Sequence, residues 1–259
     1  MSLAMTGALR VLGHNLVVYR RTWKGSVFMS FVSPILFMAA MGFGLGGLIS
    51  RGPVRTVDGL SYLAFLAPGL LVATAMQSGY VETTFPIMAR IQWERTYEGM
   101  LATPLRVLDV LAGEFGWLAL RLGLGSVAFF LVMLVFGTVH SGLGILAIFV
   151  SVLTGLAFAA PILAWTATRR TTNSFALIGR FLITPLFLLG GVFFPIHQLP
   201  QLIQGIAWLT PLAHGVSLAR SLSVGALQSS AFIHLAVLLL YASAGIVVAR
   251  ITLRRRLVT

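Results

Sequence analysis

Apolar residues run through this chain in long blocks with few polar positions between them. Six blocks are long enough to cross a bilayer as helices, at about 26–50, 61–84, 112–136, 143–166, 174–193 and 229–250. At about 1.5 Å of rise per residue, roughly twenty residues cover roughly 30 Å of hydrocarbon. Residues 5–24, MTGALRVLGHNLVVYRRTWK, follow a different pattern. Leu9, Leu12, Leu16, Tyr19 and Trp23 recur at helical spacing, while Arg10, Arg20, Arg21 and Lys24 supply a cationic side. This predicts an amphipathic helix lying in the headgroup plane. The apolar block after it lacks a convincing small-x-small cleavage site and is long enough to span. It reads as a retained helix rather than a signal peptide.

The stretch between the fifth and sixth blocks, residues 194–228, fits neither a span nor a solvated loop. It is apolar but broken by Pro195, Pro200 and Pro211, and no piece between these prolines is long enough to cross. It predicts short helices that enter the outer leaflet and return, with their irregular backbone shielded by protein or facing a cavity. The expected fold is therefore an all-α polytopic membrane protein, a single domain over residues 1–259. It has six transmembrane helices, an N-terminal interfacial helix and re-entrant outer helices. No fixed-period repeat, low-complexity linker or soluble domain interrupts it.

Composition agrees. The chain is 58% hydrophobic and 9% charged, against about 25% charged in a soluble domain. The 18 basic residues outnumber the 6 acids, for a net charge of +12. In a soluble protein that balance would point to nucleic acid. In a membrane protein it sets topology, because Arg and Lys gather in cytoplasmic segments. With the N-terminus inside, the segments carrying Arg10–Lys24, Arg90–Arg106, Arg169–Arg170 and Arg250–Arg256 are cytoplasmic, and only Arg51, Arg55 and Arg220 fall outside. Both termini are expected in the cytoplasm, with no nucleic-acid partner.

Several chemistries have no residues to support them. There is no Cys, hence no disulfide or thiolate metal site. No HExxH, paired metal-ligating His or GxSxG occurs, and the two aspartates, Asp58 and Asp109, fall on opposite sides of the membrane. The only lysine is Lys24, with no glycine cradle before it, so ATP has no Walker A loop here. No catalytic, metal or cofactor site is expected on this chain.

The acids are concentrated. Glu82, Glu94, Glu98, Asp109 and Glu114 fall within residues 82–114, and the segment 90–106, RIQWERTYEGMLATPLR, also carries Arg90, Arg95 and Arg106. The topology places this segment in the first cytoplasmic loop. The i,i+4 spacing of Arg90, Glu94 and Glu98 predicts one charged helical face. Charges of both signs on such a face suit specific docking of a soluble protein, against the alternative of a solvated loop helix without a partner.

Ionisable residues also enter the spans. Glu114 and Arg121 are seven apart, on one helix face. With Glu82 and Arg180 they predict an inner-leaflet polar cluster joining spans two, three and five, because unpaired charges there cost about 2.5–3.5 kcal/mol at mid-membrane. The alternative is snorkelling to headgroups. Gly42, Gly44, Gly46 and Gly47 allow close helix approach in span one. Phe187, Phe193, Phe194 and Trp208 are candidates for a translocation path or a dimer seam, against ordinary core or lipid-facing roles.

The sequence resembles the membrane subunit of an ABC-2 type exporter, in the branch of nodulation lipo-oligosaccharide permeases and related drug-efflux permeases. The resemblance covers nearly the whole chain. It rests on SYLAFLAPGLL (61–71), MLATPLRVLDVLAGE (100–114), LGGVFFPIHQLP (189–200), and the late signature formed by Pro211, Leu212, Ala213, His214 and Arg220. It implies that Arg90, Glu94, Arg95 and Glu98 sit on a coupling helix that seats in an ATPase subunit. It implies that Phe194, Pro195, Pro200, Pro211, His214 and Arg220 belong to re-entrant helices closing an outward gate. It also implies two permease copies, a homodimer or a heterodimer, with two copies of a separate ABC ATPase holding ATP and Mg. The expected setting is the bacterial cytoplasmic membrane. An apolar path suits an amphipathic cargo such as a lipo-oligosaccharide or glycolipid. A drug-efflux permease of the same superfamily and an ion-coupled carrier working without ATP remain the other readings.

Overall fold

The computed structural model describes residues 3–47 and 56–258; Arg51 and Arg55 lie outside the described residues. The chain is an all-α polytopic membrane protein. Helix α1 is Leu3–Ala39 and runs on through a wide π turn, Ala40–Gly46. Helix α2 is Tyr62–Thr83, followed by the short α3, Phe85–Met88, and a π turn, Ala89–Trp93. Helix α4 is Thr96–Leu101 and α5 is Val107–Val135. Helix α6 is Leu146–Thr166, entered through the 3₁₀ turn Gly142–Ile145. Helices α7 (Asn173–Ile178) and α8 (Thr184–Leu189) flank a third π turn, Gly179–Ile183. A 3₁₀ turn, Ile196–Gln198, precedes α9 (Gln201–Leu209), and α10 (Pro211–Val224) and α11 (Ala231–Val258) complete the chain.

Five of these segments are long and apolar enough to cross a membrane. They start at local signals. The Ser61 hydroxyl accepts from the Ala64 N–H and caps α2. The Asp109 carboxylate accepts from the Arg106 N–H, so α5 begins at Val107, five residues before the apolar block that predicts it. Helix α10 opens with Pro211 and stops at Gly225, whose φ of 81° only glycine adopts at little cost.

Helix α6 lies at the centre, packed against α2, α10 and α11. The closest approach is glycine to glycine: a Cβ on Gly79 would lie 2.6 Å from the Gly155 carbonyl oxygen, so α2 and α6 meet backbone to backbone. One apolar cluster fills the space between α2, α5, α6 and α10. A second joins Val11, Tyr97, Val110, Ala164 and Leu253. Both ends of the chain and the loops after α2 and α6 therefore lie at one end of the bundle, called here the Arg-rich end.

Three expectations need correction. The predicted interfacial helix and first span are a single helix with no break at Gly25. One glycine costs a helix only about 1 kcal/mol, and α1 packs along α5 with Val11 and Asn15 buried beneath it, which holds it in line. The fifth predicted span is shorter than expected and is built from α7, the π turn and α8, with Pro185 near the start of α8. Segment 90–106 is not one helix. Arg95 takes a left-handed φ of 49° and divides the π turn from α4. Arg90, Glu94 and Glu98 consequently do not share a face.

The proline-broken stretch after α8 does fold back. Helices α9 and α10 meet at a bend of 85°. Helix α10 starts beside Tyr241, well inside α11, whose hydroxyl donates to the Leu209 carbonyl at 2.7 Å. It ends at the far end of the bundle, where the Ser223 carbonyl accepts from the His140 N–H. The α9–α10 pair thus enters and leaves from the end opposite the Arg-rich one.

Candidate functional site

The charged segment at the Arg-rich end divides into a root and a tip. The root is buried. The Arg90 guanidinium pairs with the Glu114 carboxylate, the two side chains being 18% and 1% exposed. The second Glu114 oxygen accepts from Asn15 Nδ2 on α1 at 3.2 Å. The Tyr97 side chain packs beside this pair with its hydroxyl buried. Burial first, and then the neighbouring Glu114 charge, hold its phenol well above the usual pKa of 10.0. The tip, Trp93, Glu94, Arg95 and Glu98, is exposed. Its Arg95–Glu98 pair spans 4.0 Å, too loose and too exposed to fix the loop. The segment is therefore anchored in the bundle at its root and exposed at its tip.

One helix turn pair further along α5, Arg121 makes a second station. Its Nε donates to the Glu82 carboxylate on α2 at 2.8 Å, and its Nη1 donates to the Ser26 hydroxyl on α1 at 2.7 Å. The guanidinium also lies over the Tyr19 ring at 5.1 Å. The expected cluster of Glu82, Glu114 and Arg121 is two separate pairs along α5, Glu114 with Arg90 and Arg121 with Glu82. Arg180 joins neither: it is exposed on the π turn between α7 and α8 and makes no ion pair with a described residue. The third helix tied into the polar cluster is α1. Asn15 and Tyr19, which join it, were hidden because they sit in the stretch that reads as an interfacial helix, and Ser26 because it opens an apolar block.

The opposite end holds the other candidate residues. Trp208, His214 and His234 form one stack, with the Trp208 and His234 rings 5.8 Å apart and nearly parallel. His214 Nε2 donates to the Trp208 carbonyl at 2.8 Å, and the Nδ1 atoms of His214 and His234 share a hydrogen bond, also at 2.8 Å. His234 Nε2 meets the Ser217 hydroxyl at 3.3 Å. His234, on α11, is a partner that no motif points to. Arg220 donates to the carbonyls of Phe65 at 3.1 Å and Gly191 at 2.8 Å, and lies 3.7 Å over the Phe65 ring. It therefore ties α10 to α2 and to the turn after α8. Phe187 and Phe193 meet edge to face at 5.1 Å, and Phe193 also meets Phe37 of α1. Pro195 and Pro211 are buried, Phe194 is half-buried, and Pro200 is exposed.

The comparisons with known proteins agree with this architecture. A family model described as ABC-2 type transporter matches residues 9–223. The chain is 33% identical to Nodulation protein J of Rhizobium leguminosarum bv. viciae over 249 residues, which is 96% of this chain and 94% of that protein. It is 33% identical to Nodulation protein J of Bradyrhizobium diazoefficiens over 94% of this chain and 91% of that one. The Inner membrane transport permease YadH of Escherichia coli is 27% identical over 77% of this chain and 75% of its own length. With a family match across most of its length and relatives at this identity along nearly all of it, the chain belongs to the ABC-2 type transporter family, as a membrane subunit of a transporter.

Proposed function

We propose that this chain is the membrane subunit of an ATP-driven exporter that moves an amphipathic, lipid-linked or glycolipid cargo outward across the bacterial cytoplasmic membrane. ABC-2 permeases work with a separate ABC ATPase subunit. Here two permease copies and two ATPases would assemble, with both termini on the cytoplasmic side and ATP and Mg held by the ATPase. The observation that carries the reading is the exposed tip formed by Trp93, Glu94, Arg95 and Glu98, rooted by the buried Arg90–Glu114 pair. A tip that docks on a moving partner passes that motion through Arg90 to α5 and, through Asn15, to α1. The α9–α10 pair, tied by Arg220 and the His214–His234 contact, serves as the outward gate. Resemblance to Nodulation protein J supports a lipo-oligosaccharide-like cargo.

The ion-coupled alternative needs a carboxylate free to take up a proton within the membrane. Both glutamates in the described spans are paired with arginine, Glu82 with Arg121 and Glu114 with Arg90. The cargo is tested by ATP hydrolysis of the assembled transporter in nanodiscs. A lipid bearing an uncharged oligosaccharide should stimulate turnover and a set of hydrophobic drugs should not. Stimulation by the drugs alone would transfer the assignment to drug efflux.

A further inference from the structure

A cavity of about 480 Å³ lies between α1, α2 and α5. A second lobe of about 280 Å³ shares Ser26, Ser30, Ser78, Glu82 and Arg121 with it. The combined space is within the range of small-ligand sites. All three helices are long and apolar enough to cross a membrane, yet about half of the residues lining this space are polar or charged. Ser33, Gln77 and Ser78 face this space without a hydrogen bond to any described residue. In hydrocarbon, unpartnered amide and hydroxyl groups are costly. They call for a content that can hydrogen-bond.

The charges narrow the choice. Arg121 and Glu82 both line the cavity, and they satisfy each other. An anionic or cationic headgroup would meet no uncompensated charge. A neutral, polyhydroxylated headgroup would find donors and acceptors in the serine hydroxyls and the Gln77 amide. It would also find an apolar floor in Met29, Leu122 and Phe129 for the face of a sugar ring. The geometry points to this cavity as the binding site for the uncharged saccharide headgroup of the cargo, entered between α1 and α2. The inference rests on the glycolipid reading of function. Occupancy spreads α1 from α2 at the Ser26–Arg121–Glu82 station, so headgroup binding is felt by the same residues that join the docking tip to the spans.

The chain has no cysteine, so single-cysteine variants give a clean test. Gln77→Cys and Ser78→Cys report the cavity, and Leu240→Cys on the exposed face of α11 serves as the lipid-facing control. Each is assembled with its ATPase in nanodiscs and reacted with a small methanethiosulfonate. Lactosylceramide, ceramide or phosphatidylserine is the added lipid. The two cavity cysteines should react faster than Cys at 240. Lactosylceramide should slow them about tenfold when present at about ten times its Kd. Ceramide and phosphatidylserine should leave them unchanged. Equal protection by ceramide would overturn the proposal in favour of an acyl-chain groove. Lactosylceramide that stimulates ATP hydrolysis without protecting either cysteine would overturn the site while leaving the proposed function standing. Lactosylceramide that does neither would remove the glycolipid reading as well.

Discussion

Glu114→Ala is expected to destabilise the folded chain by about 3–5 kcal/mol, because it strands the Arg90 guanidinium in the packed region under α1. The same change removes the acceptor for the Asn15 amide. The link from the docking segment to α5 and its extension to α1 are lost at once. The double variant Arg90→Met with Glu114→Met removes both charges and should recover most of the loss, since two apolar side chains of similar length leave no stranded charge and only the Asn15 amide without its acceptor. Unfolding midpoints in detergent micelles for the single and double variants give the coupling directly. Additive losses would mean that the pair contributes no more than two surface charges. The Glu82–Arg121 pair is the internal comparison. At 19% and 28% exposure it is less desiccated, and Glu82→Ala should cost less than Glu114→Ala.

Glu94→Arg combined with Glu98→Arg is expected to abolish ATPase association while leaving the chain folded. Like charges brought together across an interface cost several kcal/mol, on the order of a hundredfold or more in Kd. The folded chain itself should hardly notice. Both glutamates are exposed; among the described residues Glu98 makes the loose 4.0 Å contact to Arg95, and Glu94 accepts an exposed hydrogen bond from the Thr96 hydroxyl at 3.2 Å. Surface pairs of that kind are worth about 0–1 kcal/mol. Quantitative co-purification of the ATPase, beside an unfolding midpoint for the same preparation, separates the two effects. Loss of both together would show that the acids hold the loop rather than a partner. Unchanged association would remove the docking role from this tip.

Long apolar blocks made most of this fold legible. A span of twenty residues is a coarse object, and the proline and serine signals at Ser61, Pro195 and Pro211 mark its edges. The seven-residue spacing of Glu114 and Arg121 was enough to put both on one side of α5, and ion pairs do form there. Other features depended on what the side chains meet in three dimensions. Helical periodicity in residues 5–24 is the same whether the cationic side faces headgroups or the apolar side faces α5. Only packing under Val11 and Asn15 decides that α1 runs straight on. Nothing local announces the left-handed Arg95, which is neither glycine nor asparagine, so an i,i+4 pattern across residues 90–98 gave a face that the backbone does not make. Arg180 shows the opposite limit. An arginine within an apolar block suggests a buried partner, but here it stands on an irregular turn with its side chain exposed. His234 lies twenty residues from His214, and no spacing rule connects them across the turn from α10 to α11.

The central claim is that this chain is driven by a separate ATPase docked on the Trp93–Glu98 tip. The most direct test is gentle affinity purification of the chain from native membranes with mass spectrometry of what accompanies it. The account predicts a Walker A protein in stoichiometric amount, lost when Glu94 and Glu98 are reversed in charge. A solitary oligomer that transports cargo in liposomes on a proton gradient would contradict it.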